Sequence, residues 1–96
     1  MRQAFALLLV AIMANIANAE TLASGATVCQ TKEGITAVRV ALDAGNVKKY
    51  EELVSSGKCS IVNGDQHVAV TNACGNKTRK ILLNGDPVWC LNRHLR

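Results

Sequence analysis

Between Cys29 and Cys59 the apolar residues recur at helical spacing, first as Ile35, Val38 and Leu42 and then as Val47, Tyr50 and Val54. Gly45-Asn46 separates the two sets. Glycine suits the left-handed position beyond a helix end and asparagine suits an N-cap, so the dipeptide reads as a stop followed by a start. Gly57 would end the second helix. The pattern predicts a helical hairpin. Val38, Val40 and Leu42 also alternate as a strand would, which is the competing reading of the first helix.

After Cys59 the period changes. Ile61-Val62, Val68 with Val70, Ile81-Leu82-Leu83 and Val88-Trp89-Cys90 are short apolar runs divided by Asn63-Gly64, Gly75-Asn76 and Asn84-Gly85. Asn-Gly favours tight hairpin turns because both central residues of a type I′ turn need positive φ. These runs predict an antiparallel meander, and Pro87, which has no N–H to donate, is expected to open the last strand at a sheet edge. The fold class is therefore α+β: a short helical hairpin followed by a three- or four-stranded antiparallel β-meander.

The start of the chain carries a different pattern. Arg2 precedes an unbroken apolar run over residues 4–14, and Ala17-Asn18-Ala19 places small residues where an export signal peptidase reads them. Residues 1–19 are thus predicted to be a secretory signal peptide, too short to cross a bilayer as a stable anchor. Residues 20–96 would form one small domain of 77 residues with ten Lys and Arg against seven Asp and Glu. The expected address is the periplasm, or alternatively the extracellular space. The very short charged start fits a bacterial exporter.

A domain of that size gains little from one apolar core, so covalent staples are expected. Cys29, Cys59, Cys74 and Cys90 form an even set in the exported part, with no Cys-x-x-Cys pair of the kind used for zinc or thiol exchange. Two disulfides follow. An antiparallel helical hairpin brings Cys29 beside Cys59. A return strand brings Cys90 back toward the turn that carries Cys74. The predicted pairs are therefore Cys29–Cys59 and Cys74–Cys90.

Chemistry is sparse. His67 opens a strand and is the one sensible general base, while His94 falls at the chain end. Glu51 and Glu52 are adjacent on a helix and diverge, and Lys48 can meet Glu52 one turn away. There is no phosphate-binding glycine loop, calcium loop or serine elbow. No catalytic residue, cofactor or metal is predicted. Asn76-Lys77-Thr78 is a glycosylation acceptor only in a eukaryotic secretory route.

Charge is asymmetric. Residues 75–96 hold Lys77, Arg79, Lys80, Arg93 and Arg96 against Asp86 alone, while residues 20–74 are close to neutral. Nucleic acid is a poor match, since Tyr50 and Trp89 are the only aromatic residues after the signal segment. An acidic protein surface or an anionic envelope polymer fits better. Trp89 faces away from Val88 and Cys90 in its strand, either packed beneath the helical hairpin or exposed as an anchor. Lys77, Arg79, Lys80, Trp89 and Arg93 are the candidate partner-binding residues.

The order of helical hairpin, Ser55-Ser56-Gly57-Lys58-Cys59 and a turn-rich meander closing on Trp89 resembles small exported bacterial proteins of unknown function, some associated with mobile elements. That likeness implies no activity. The expected function is binding of another protein, in an inhibitor, immunity or accessory role. The alternative is a small cationic toxin or effector acting on membranes or host cells. The oligomeric state is left open.

Overall fold

The computed structural model describes residues 16–96, so the charged start and apolar run of the expected signal segment lie outside the described residues. Its order is β1 (Ile16–Leu22), β2 (Thr27–Cys29), α1 (Lys32–Asp43), α2 (Val47–Ser55), β3 (Cys59–Ile61), β4 (Gln66–Gly75), β5 (Thr78–Leu83), β6 (Asp86–Leu91) and a 3-10 turn (Asn92–His94).

The helical hairpin stands where periodicity places it, which excludes the strand reading of Val38 to Leu42. Thr31 caps α1 by accepting from the Gly34 N–H at 3.0 Å, and Asn46 caps α2 by accepting from the Lys49 N–H at 3.1 Å. Each cap satisfies an amide that the first helical turn leaves without a partner. Gly45, at φ +68°, makes the reversal between the helices. The buried stripe differs from expectation, however. Ile35, Val38, Ala41 and Leu53 are buried, whereas Leu42 and Val47 are exposed at the hairpin tip and Val54 is half-buried.

The sheet is larger than the expected meander. Six antiparallel strands are ordered β1-β4-β5-β6-β2-β3, so β4, β5 and β6 form the meander and three further strands flank it. Asn84 and Gly85 both have positive φ, in keeping with a tight hairpin between β5 and β6. Asn63-Gly64 is not a hairpin turn, because β3 pairs with β2 at the far edge and not with β4. Nor is β6 an edge. It lies between β5 and β2, but β2 reaches only Cys90 and Trp89, so the side of Pro87 that lacks a donor has no ladder partner.

Strands β1 and β2 hold the first and fifth positions in the sheet, yet residues 23–26 alone connect them. Four interstrand spacings in a flat sheet would be about 19 Å, too far for a short link bent by the Ala26 N–H to Ala23 carbonyl bond of 3.1 Å. The sheet therefore curls. Thr21 and Arg96 exchange two backbone hydrogen bonds of 3.0 and 2.9 Å, and Leu22 bridges Leu95, so the chain end closes the curl against β1. Leu22, Val28, Val68, Val70, Ile81 and Cys90 meet inside it. On the outer face, Cys29, Cys59 and Leu91 pack with Ile35, Val38 and Leu53 beneath the two helices.

The Cys29–Cys59 disulfide is present. The expected Cys74–Cys90 bridge is not: Cys74 is an exposed free thiol and Cys90 a buried one. The reason is register. Cys74 lies opposite Arg79, and Arg79 lies opposite Cys90, so all of β5 stands between the two cysteines. Two interstrand spacings put their Cα atoms about 9 to 10 Å apart, beyond the reach of a disulfide.

Candidate functional site

Strand alternation distributes the five candidate binding residues over different surfaces. Arg79 shares the inner face with Cys74 and Cys90, is half-buried, and donates from Nη1 to the Thr71 carbonyl at 3.3 Å. That carbonyl belongs to an irregular stretch of β4 between Val70 and Cys74, where the Thr71 hydroxyl also donates to the Lys80 carbonyl at 2.8 Å. The Arg79 head stitches this bulge and borders a cavity of about 190 Å³ with Glu20, Asn92 and Leu95.

Lys80 and Trp89 face the other way. They are cross-strand partners on the outer face, both half-buried. Trp89 packs against the cluster beneath the helices, and the Lys32 ammonium sits 5.8 Å from the centroid of its ring. Packing under the hairpin is thus the reading of Trp89 that the structure favours.

Lys77 and Arg93 are the pair that the fold brings together. Lys77 occupies the β4–β5 turn at φ +61°, and its carbonyl accepts from the Asn92 N–H at 3.0 Å. That bond ties the turn to the 3-10 turn carrying Arg93. With Asp43 and Asn92 they line a notch of about 340 Å³. Asp43 ends α1 and divides its carboxylate between two guanidinium groups, accepting from Arg93 at 3.1 Å and from Arg39 at 3.4 Å. Two guanidinium groups therefore share one carboxylate, Lys77 lines the same notch without an ion pair among the described residues, and Arg93 remains half exposed. The sequence pattern missed Arg39 and Asp43, although their i,i+4 spacing on a helix could have paired them.

No protein-family model, curated protein or solved structure matches the chain.

The titratable residues occupy separate places. His67 is exposed on β4 opposite Thr21. His94 is half-buried in the 3-10 turn. Its Nδ1 has no hydrogen-bond partner among the described residues, and burial, with the Arg93 charge adding to it, holds its pKa below the usual histidine value. Burial also pushes the Cys90 thiol up to about 12, which keeps it protonated. Among the described residues no group of three or more His, Cys, Asp or Glu side chains could hold a metal ion.

A further concavity lies at the hairpin tip. Ala41, Leu42, Gly45, Asn46, Val47 and Tyr50 line about 200 Å³ of mainly apolar space. The Tyr50 hydroxyl is held 2.7 Å from that of buried Thr27, which fixes the ring as one wall.

Proposed function

We propose that this protein is an exported, non-enzymatic binding protein whose partner is a protein with an acidic surface, acting in the periplasm in an inhibitory, immunity or accessory role. The observation that carries this reading is the convergence of Lys77 and Arg93 on one notch, although they lie on different elements. The Asn92–Lys77 backbone bond ties together the two turns that carry these cations, and an electropositive feature of this kind steers and orients acidic partners. The Cys29–Cys59 disulfide suits an oxidising compartment. No described helix is long and apolar enough to cross a membrane. A cut after Ala19 would fall within β1 and leave residues 20–22 in the sheet.

The test is site-specific photo-crosslinking in the exporting cell from a probe at Asn92, with the wild type and the Lys77→Glu/Arg93→Glu variant in parallel. A discrete protein adduct that the double variant loses, and that rising salt weakens, supports the reading. An adduct indifferent to both changes counts against it. Permeabilised vesicles without any protein adduct would favour the toxin reading instead.

A further inference from the structure

Leu42 and Val47 are positions that helical periodicity would bury, yet they are 39% and 64% exposed. They are not scattered. Both line the apolar concavity at the hairpin tip, with Tyr50 as its wall. Asp43 follows Leu42 directly and belongs to the cationic notch, so the end of α1 borders the apolar groove through Leu42 and the notch through Asp43. Exposed apolar side chains rimmed by polar and charged groups mark a surface that is covered on binding.

We propose that the hairpin tip and the adjoining notch form one docking surface, occupied by a partner-protein segment that places an apolar side chain beside a carboxylate. This rests on the binding reading above and specifies its surface. Charge complementarity selects the occupant. Arg39, Arg93 and Lys77 outnumber Asp43, and Lys77 makes no ion pair among the described residues. Asp43 holds Arg93 in place from one side, and the guanidinium retains donors for an incoming carboxylate. The groove receives the apolar side chain between Leu42, Val47 and the fixed Tyr50 ring, an arrangement in which little side-chain freedom is lost on binding. A second copy of this chain would instead bring the two positive notches toward each other.

The probe is a phage-displayed library of random peptides, selected on the immobilised exported protein. Selected peptides should carry an aliphatic or aromatic residue next to Asp or Glu. They should bind about tenfold or more weakly to Val47→Glu, and also to Lys77→Glu/Arg93→Glu. Val47, Lys77 and Arg93 are all exposed, so circular dichroism should show both variants folded, and Val47→Ala should give a smaller loss in the same direction. Acidic peptides sensitive to the notch variant but indifferent to Val47→Glu would overturn this inference and leave the binding reading standing. Peptides indifferent to both variants, or no selected peptides at all, would remove both. A concentration-dependent dimer abolished by Val47→Glu, or binding to phosphatidylglycerol vesicles through the tip, would overturn the proposed occupant.

Discussion

Cys29 stands directly opposite Cys59 across β2 and β3, with Cα atoms 4.1 Å apart, and their bridge closes the ends of the segment that contains both helices. It joins positions 30 residues apart, so chain-entropy arithmetic assigns it about 3 to 4 kcal/mol through restriction of the unfolded state. Urea unfolding of Cys29→Ala/Cys59→Ala should show a loss of that size, a large share of the stability of a domain this small. A loss below about 1 kcal/mol would mean that the helices hold without the staple.

The other two cysteines should behave as unequal thiols. Cys74 is exposed, whereas Cys90 is fully buried with its pKa near 12. At pH 8 a thiol reagent should label Cys74 promptly and Cys90 only after denaturation, because the thiolate is the reactive form. Peptide mapping under non-reducing conditions should return the Cys29–Cys59 fragment as the sole intramolecular bridge.

Thr27 and Tyr50 connect the sheet to α2 through one hydroxyl pair at 2.7 Å, and Thr27 is 1% exposed. Tyr50→Phe leaves the Thr27 hydroxyl buried without that partner and should destabilise by about 1 to 3 kcal/mol. Adding Thr27→Val should recover part of the loss, since both polar ends are then gone. A double-mutant cycle in urea measures the coupling.

The helices were legible because local signals and tertiary packing agree there: Thr31 and Asn46 cap, Gly45 reverses the chain, and Ile35 and Val38 face the core. The β5–β6 hairpin was legible for the same reason, through Asn84-Gly85. What escaped depends on pairing at a distance. β2 is three residues long, too short for a periodic signal, while β3, announced by the Ile61-Val62 run, pairs with β2 across the helical hairpin instead of joining the meander. β1 overlaps the Ala17-Asn18-Ala19 motif, whose small residues read as a peptidase site. The Cys74–Cys90 expectation correctly returned β6 toward the turn but omitted the width of β5. At the candidate site, Lys77 and Arg93 were visible as charges, while their shared notch depends on the Asn92–Lys77 bond.

His94 should give stability a mild acid sensitivity. Burial lowers its pKa in the folded protein below the unfolded value of about 6.5, so the unfolded chain binds more protons between those two values. This contribution is present above about pH 6.5, is lost as pH falls through the window, and levels off below the folded pKa. Urea midpoints measured from pH 5 to 8 should therefore fall more steeply on acidification for the wild type than for His94→Gln. Equal slopes would show that His94 is solvated like an ordinary surface histidine.

Truncation separates the two parts of β1. A chain beginning at Glu20 loses the pairs that Ile16, Asn18 and Ala19 make with β4, but it keeps Glu20 opposite Val68, Thr21 opposite His67 and Leu22 opposite Gln66. It also keeps the Thr21–Arg96 backbone pair, and with it the closure of the curl by the chain end. Leu22 is fully buried within the inner cluster, and large-to-alanine changes at such sites cost about 2 to 5 kcal/mol. The chain from Glu20 should therefore unfold cooperatively with its near-ultraviolet dichroism intact. Leu22→Ala in that background should lower stability by that amount, and a chain beginning at Ala23 should fail to hold the closed sheet. A chain from Ala23 as stable as that from Glu20 would show that the Leu22–Leu95 bridge does not close the fold.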